Sequence, residues 1–247
     1  MLAVNDVICA LLAAGYCGLG ALFPKDSVTG QTLGMGFFNG FTYMLGFVLL
    51  QSSVKKNGVV LSNIFIRLGL LVPMVLSVLL FHESPAPAQI IGFVIAVGAI
   101  ILINYQKGEK KNIGLGLILL LLTGGTSDAM SKVFEELGRA ELSAQSLFYT
   151  FGSALLFCVA FLIYKKEHPG IKEMFYGMLI GIPNFFSARF LLRSLNDLAA
   201  VVVYPTYSVS VLLLVTLTGV ICFRERLRKT QWVALAAILA ALVLLNI

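Results

Sequence analysis

The sequence predicts an all-α integral membrane protein with nine transmembrane helices, built from two copies of one helical unit. Three observations support this fold class. The 247-residue chain is 59% hydrophobic and 12% charged, whereas soluble domains carry roughly 25% charged residues. Its apolar residues form long continuous runs of the length that a helix needs to cross a bilayer, not the short alternating strands of a β-barrel. The third observation is an internal repeat.

The repeat is most visible in a Phe-x-Glu-x5-Gln motif near the end of each half. Glu83 and Gln89 recur as Glu225 and Gln231, at an offset of 142 residues that many apolar positions share without a gap. A period of this length in so apolar a chain indicates two copies of one membrane-embedded unit.

The first four predicted spans are 6–23, 32–51, 58–81 and 88–105. Each is an apolar run of about 20 residues, long enough to cross the bilayer once. Charged residues, Pro or Gly interrupt the sequence between spans, as is typical of loops. The interruptions are, in order, Pro24-Lys25-Asp26, Lys55-Lys56-Asn57-Gly58, Ser84-Pro85-Ala86-Pro87 and the segment 107–112.

Five further spans are predicted at 112–131, 143–164, 172–193, 198–222 and 230–247. The breaks between them again contain loop chemistry, notably His168-Pro169-Gly170 and the basic segment 224–229. Two Gly-x3-Gly pairs inside the spans predict close helix packing; they are Gly36 with Gly40, and Gly177 with Gly181.

Two repeats of unequal length follow from the offset. Span 143–164 corresponds to positions 1–22, so residues 1–106 form a repeat of four helices and residues 112–247 a repeat of five. We expect that the first helix of a five-plus-five protein is missing. Because five is odd, successive copies enter the membrane from opposite sides, which makes this an inverted repeat.

The basic residues indicate orientation in the membrane. Of the 18 Lys and Arg residues, 12 fall in loops on one predicted side and four on the other. The positive-inside rule places the richer side in the cytoplasm, with the N-terminus inside and the C-terminus outside. The net charge of +6 therefore does not indicate nucleic-acid binding. We find no targeting or retention signal, which favours a multi-pass protein of a bacterial inner (plasma) membrane.

The motif, placed where one helix ends and the next begins in each half, resembles the drug/metabolite transporter superfamily of the EamA type. The resemblance covers essentially the whole chain, so that both repeats are of the EamA type. It implies a permease for small metabolites, often amino acids or related compounds, with no enzymatic chemistry and no cofactor. It also implies a central cavity lined by spans 32–51, 58–81, 112–131, 172–193 and 198–222.

Arg67 is the most informative polar residue of the sequence. It lies about nine residues into its span, roughly 14 Å deep, where a charge costs at least about 2.5–3.5 kcal/mol. Asn63 lies one turn earlier on the same face. We expect both residues to bind a carboxylate or another acceptor group of the substrate; the alternative is a structural arginine paired with a neighbour.

Other polar side chains predict the rest of a substrate pocket. Pro183 and Pro205 are expected to break their helices locally and to free backbone groups that line a cavity. Aromatic and amide side chains near these prolines, or sharing a face in span 32–51, would form a small-molecule site. The predicted lining residues are Asn39, Tyr43, Asn184, Tyr204, Tyr207 and Ser208. Tyrosine also marks membrane interfaces, which is the alternative role.

Asp128 and Arg189 lie at similar predicted depth and are expected to form an ion pair. The pair would act as a gate or a proton-coupled switch, or else as a static contact between helices. Asp128 is also expected to be the only acidic residue well inside a span. That expectation favours a neutral, zwitterionic or anionic substrate over a cationic drug.

The motif residues are expected to be architectural. Carboxylate and amide oxygens at these helix ends can accept hydrogen bonds from the N-terminal N–H groups of the next helix. This role is predicted for all four motif positions, namely Glu83, Gln89, Glu225 and Gln231.

No catalytic or metal-binding cluster is visible in the sequence. The histidines are His82 and His168, both at helix ends, and Glu135-Glu136 is expected to be a solvated loop or helix end. Two other functions stay open, a lipid-modifying membrane enzyme and a truncated, non-transporting paralogue or assembly subunit. The expected partners are a small-molecule substrate and the lipid bilayer, and a homodimer stays open.

Overall fold

The computed structural model describes residues 1–18, 22–23, 27–57, 59–104, 115–166, 170–222 and 229–245. These ranges are almost entirely helical and contain no strand. The helices are α1 (Leu2–Cys17), α2 (Ser27–Asn57), α3 (Val59–Leu68), α4 (Leu71–Leu80), α5 (Pro87–Asn104), α6 (Leu115–Leu137), α7 (Ser143–Lys165), α8 (Ile171–Asp197), α9 (Ala200–Cys222) and α10 (Lys229–Leu245). A 3₁₀ turn, Ala140–Leu142, precedes α7.

The predicted span 58–81 is not one helix but two, because the chain turns between α3 and α4. Gly69 N–H donates to Ile66 C=O at 3.2 Å, a three-residue spacing that tightens the helix. The turn also brings two backbones together: a Cβ added to Gly69 would lie 2.9 Å from Gly125 N. The helices α8 and α9 do not end at Pro183 and Pro205 but continue through them, and the predicted local kinks stay predictions.

Among the residues that the structure describes, four helical segments are long and apolar enough to cross a membrane, and many of their exposed side chains are apolar. They are Thr29–Asn57, Leu115–Leu137, Ala140–Lys165 and Ile171–Asp197. Leu156 is 68% exposed and Ile163 is 72% exposed, as expected where lipid replaces water around a helix. These four segments are identified by length and composition, so the count of nine spans stays a prediction.

The first of two compact units contains Met1–Phe47 and Met130–Asp197. In this unit α1 packs against both α7 and α8. Its core is formed by apolar side chains from several helices, including Cys9, Ala13, Phe151 and Phe185. The unit takes helices from both predicted repeats.

The second compact unit contains Val48–Ala129 and Leu198–Ile247. Here α5 and α10 pack along their lengths, and a Cβ added to Gly92 would lie 3.0 Å from Leu244 Cβ. By the 142-residue offset these two helices are equivalent. The first unit pairs the equivalent helices α1 and α7 in the same way.

Glycines bring helix backbones into contact in the first unit, as the Gly-x3-Gly pairs predict. A Cβ added to Gly36 would lie 2.5 Å from Tyr149 Cβ on α7. One added to Gly40 would lie 2.5 Å from Thr150 C=O and 2.8 Å from Ala154 N. On α8, Gly177 and Gly181 meet α1 at similarly short distances. Close packing of this kind stabilises helix association in a bilayer.

The substitution Gly40→Ala should therefore lower the thermal stability of the protein. The added methyl group meets backbone atoms, which cannot rotate away, and overpacking typically costs about 1–3 kcal/mol. Thermal unfolding in detergent would measure the change. Gly34→Ala is the matched control, because a Cβ on Gly34 has no neighbour within 4 Å. Equal midpoints for the two variants would contradict the close contact between α2 and α7.

Candidate functional site

A polar cluster joins α1, α2 and α8 inside the first unit. The Asn184 side-chain amide donates hydrogen bonds to Asn5 Oδ1 at 3.3 Å and to Tyr43 Oη at 3.2 Å. Cys9 lies one turn after Asn5, and its thiol donates to Gly181 C=O at 3.3 Å. Asn184 and Gly181 lie three residues apart on α8, so each helix presents one polar face to the other.

Asp6 is the acidic member of this cluster. The carboxyl group is buried with 0% exposure, and Asn5 Nδ2 donates to its Oδ1 at 2.9 Å. Its other oxygen, Oδ2, has no hydrogen-bond partner. The prediction that Asp128 is the only acidic residue well inside a span is therefore wrong. Span 6–23 was expected to begin at Asp6, whereas α1 begins at Leu2 and carries Asp6 one turn inward.

Two of the predicted lining residues in the first unit, Asn184 and Tyr43, are hydrogen-bonded to each other. Asn39 lies one turn before Tyr43 on α2 and is partly buried. Its carbonyl accepts a hydrogen bond from Thr42 Oγ1 at 2.9 Å. The sequence signals that could have identified Asn5 and Asp6 were weak, because two polar residues at the edge of an apolar run usually mark a loop.

The second unit contains a separate polar group around Arg67 and Asp128. Arg67 lies in the last turn of α3, directly before the chain turns at Gly69, and it interacts electrostatically with Asp128 on α6. Tyr204, which is 2% exposed, donates its hydroxyl to Asp128 C=O at 2.8 Å. A discontinuous helix next to polar side chains is a recurrent feature of transporter sites.

The other predicted residues of α9 do not all share one face. Ser208 is 7% exposed and lies one turn after Tyr204, so these two residues point into the unit. Tyr207 is 38% exposed. Asn63 lies in α3, but its side chain is outside the described part of the structure.

The ion pair between Asp128 and Arg189 stays a prediction, because Asp128 belongs to the second unit and Arg189 to the first. Within the first unit, the Arg189 guanidinium lies 3.6 Å from the centroid of the Tyr16 ring. This is a cation–π contact, which the sequence did not suggest.

Glu83 caps a helix. Ala200 N–H, at the start of α9, donates to Glu83 Oε1 at 3.2 Å and to Oε2 at 3.1 Å. The helix that receives this contact is α9, whereas the sequence pointed to the next helix in the chain, α5. Gln89 Oε1 accepts from Ala86 N–H at 3.1 Å at the start of α5. In the second repeat, Glu225 lies outside the described residues, as does the Gln231 side chain.

We expect Glu83→Ala to destabilise the protein by about 0.5–2 kcal/mol, the usual cost of losing a helix cap. Glu83→Gln keeps an acceptor but loses the charge that favours a helix N-terminus, so it should cost about 0.3–1 kcal/mol. Chemical unfolding of both variants beside the parent protein would measure the difference. A Glu83→Ala variant as stable as the parent would contradict the capping role.

The paired glutamates at the end of α6 are bound to a buried lysine. Lys132, whose side chain is 3% exposed, lies 2.5 Å from Glu135 Oε2 and 2.7 Å from Glu136 Oε1. Both glutamates lie in the last turn of α6 and Glu136 is exposed, in agreement with the expectation of a solvated loop or helix end. The single lysine offsets one of the two carboxylate charges within the helix, so the group keeps a net negative charge.

The long apolar helices define a helical membrane protein. More specifically, the chain belongs to the EamA-like transporter family, whose model matches residues 4–105 and 114–247. The match occurs in two consecutive parts, as the repeat in the sequence suggests. Family membership places the protein among membrane transporters and leaves its substrate unspecified.

Two individual proteins extend this comparison. An uncharacterized protein of Haemophilus influenzae is 27% identical over 203 residues, which cover 79% of this chain and 69% of that protein. A protein with a solved crystal structure superposes with a TM-score of 0.68 at 13% identity, over 98% of this chain and 85% of the other. At this identity the structural match supports the fold alone.

Proposed function

We propose that the protein is a secondary transporter that moves a small metabolite, such as an amino acid or a related compound, across the inner membrane by alternating access. The observation that carries this proposal is the polar cluster of the first unit, in which Asn184 is bonded to Asn5 and Tyr43. The cluster joins helices from both predicted repeats in an otherwise apolar membrane protein.

The free-energy cost of burying such a polar cluster inside a membrane favours a functional role for it. Polar and ionisable groups inside a membrane are expensive to bury and usually belong to substrate or ion pathways. Asp6 has an oxygen without a partner, so the cluster can accept a further hydrogen bond or a cationic group. The sequence alone argued against positively charged substrates, because it placed few acidic residues inside the spans. The buried carboxyl group of Asp6 removes that argument.

Alternating access would follow from the repeat. Equivalent helices pack in pairs, α1 with α7 and α5 with α10, as expected when two inverted copies are related by an axis in the membrane plane. In such proteins the substrate site lies near the midplane and one part of the protein moves against another.

Transport should be tested by flux into proteoliposomes. The purified chain would be reconstituted and the uptake of a labelled panel of amino acids, organic acids and nucleosides measured against protein-free liposomes. Saturable uptake of one class supports the proposal. A folded protein that moves none of these compounds would favour the non-transporting paralogue or assembly subunit, and turnover of phospholipid headgroups in the same vesicles would favour the membrane enzyme.

A further inference from the structure

A cavity of about 340 Å³ lies in the first unit between α8 and the turn Ala140–Leu142. Its volume is within the range of small-molecule sites. The charged and polar side chains that line it include Arg189, Arg193, Glu141 and Asn196. These residues are separate from the Asn184 cluster and from the Arg67 group.

Tyr16 holds Arg189 in place at this cavity. The guanidinium lies 3.6 Å from the centroid of the Tyr16 ring. Tyr16 in turn stacks on Phe185 with ring centroids 5.7 Å apart and meets Phe186 edge-on at 6.3 Å. A guanidinium held over an aromatic face can still donate N–H hydrogen bonds to a planar oxyanion. A donor group held in one geometry loses less entropy when it binds a ligand.

Arg193 adds a second positive charge one turn later on α8. Like charges four residues apart on a helix repel each other. Among the described residues, no carboxylate lies within ion-pair distance of Arg189 or Arg193. With Glu141 on the opposite wall, the described lining contains two arginines and one carboxylate, so the cavity is net positive.

We propose that this cavity binds a small organic oxyanion, with a carboxylate or phosphate group held by Arg189 and Arg193. Arginine binds both groups through paired charge-assisted hydrogen bonds. Glu141, at the other wall, would accept a hydroxyl or ammonium hydrogen of the same ligand. The oxyanion is either a soluble solute or the phosphate of a lipid headgroup. If the protein is a transporter, this cavity would be a site where the substrate enters. That role rests on the proposed transport function, whereas oxyanion binding by the cavity does not.

Binding of succinate and inorganic phosphate to the purified chain in detergent tests this site. Titration calorimetry should give saturable binding of at least one of these probes. Arg189→Gln and Arg193→Gln should each weaken binding at least about tenfold, the effect of losing one charge-assisted hydrogen bond. Lys172→Gln, which removes an exposed charge near the start of the same helix, should leave binding unchanged. Glu141→Gln should tighten it, because a negative charge leaves the cavity.

Repeating the succinate titration with added phosphatidylglycerol or phosphatidylcholine distinguishes a lipid headgroup from a soluble solute as the natural ligand. Competition by phosphatidylglycerol alone identifies a lipid headgroup as the ligand, and no competition identifies a soluble solute. Because Arg193 is exposed, its variant stays informative if Arg189→Gln does not fold. The proposal is overturned if the folded parent protein binds neither probe, or if both arginine variants bind as the parent does. Oxyanion binding without flux would contradict transport and leave the site intact.

Discussion

Replacing Asn184 by Leu should reduce transport at least about tenfold while the protein still inserts and folds. Asn184 is the donor that connects α8 to Asn5 on α1 and to Tyr43 on α2. Leucine has a similar size but cannot donate, so two polar groups lose a buried partner. If the cluster binds substrate or changes during transport, the loss of one hydrogen bond of about 1.4 kcal/mol in that step corresponds to a factor of ten. Initial rates of flux, normalised to the folded fraction, would measure the effect.

Gln51→Leu is a suitable control for this experiment. It makes the same chemical change at an exposed position of α2 and should leave transport intact. Asn184→Asp serves a second purpose, because it keeps an oxygen but removes the donors, and transport should stay low. If Asn184→Leu transports at the parent rate, the cluster is structural and the proposed role of the first unit in transport is wrong.

The sequence predicted the fold class well because its signals do not depend on tertiary detail. Low charge, long apolar runs and a repeated motif indicate a helical membrane protein with two related parts, and the family match at 4–105 and 114–247 agrees with that interpretation. Glycine spacing also predicted close helix packing at Gly36 and Gly40, and the structure supplies α7 as the partner, since a missing side chain has a direct geometric consequence.

Other features depended on contacts between distant residues. The turn at Gly69 is explained by its close approach to Gly125, 56 positions along the chain, which no local pattern reveals. Pro183 and Pro205 were expected to break their helices locally, whereas α8 and α9 continue through these residues. Asp6 was missed because the edges of a predicted span are uncertain by a turn, and one turn separates a loop carboxylate from a buried one.

The second large effect is expected for the electrostatic pair of Arg67 and Asp128. Removing either charge leaves the other in an apolar helical environment without its partner. Both side chains are partly buried, so Arg67→Met and Asp128→Asn should each destabilise the protein by about 1 kcal/mol, the upper end for an ion pair that is not fully buried. The hydrogen bond from Tyr204 goes to the Asp128 main-chain carbonyl, so the side-chain substitution does not remove it.

The double variant decides whether the two charges act together. If they stabilise each other, Arg67→Met/Asp128→Asn should cost less than the sum of the single variants, because neither charge is then left alone. Unfolding free energies in mixed detergent would be compared, with Lys55→Met as an exposed control. Strict additivity would contradict the pair. Arg67 would then be free to bind a substrate carboxylate, as its depth in the predicted span first suggested, and a ligand should stabilise the parent protein more than Arg67→Met.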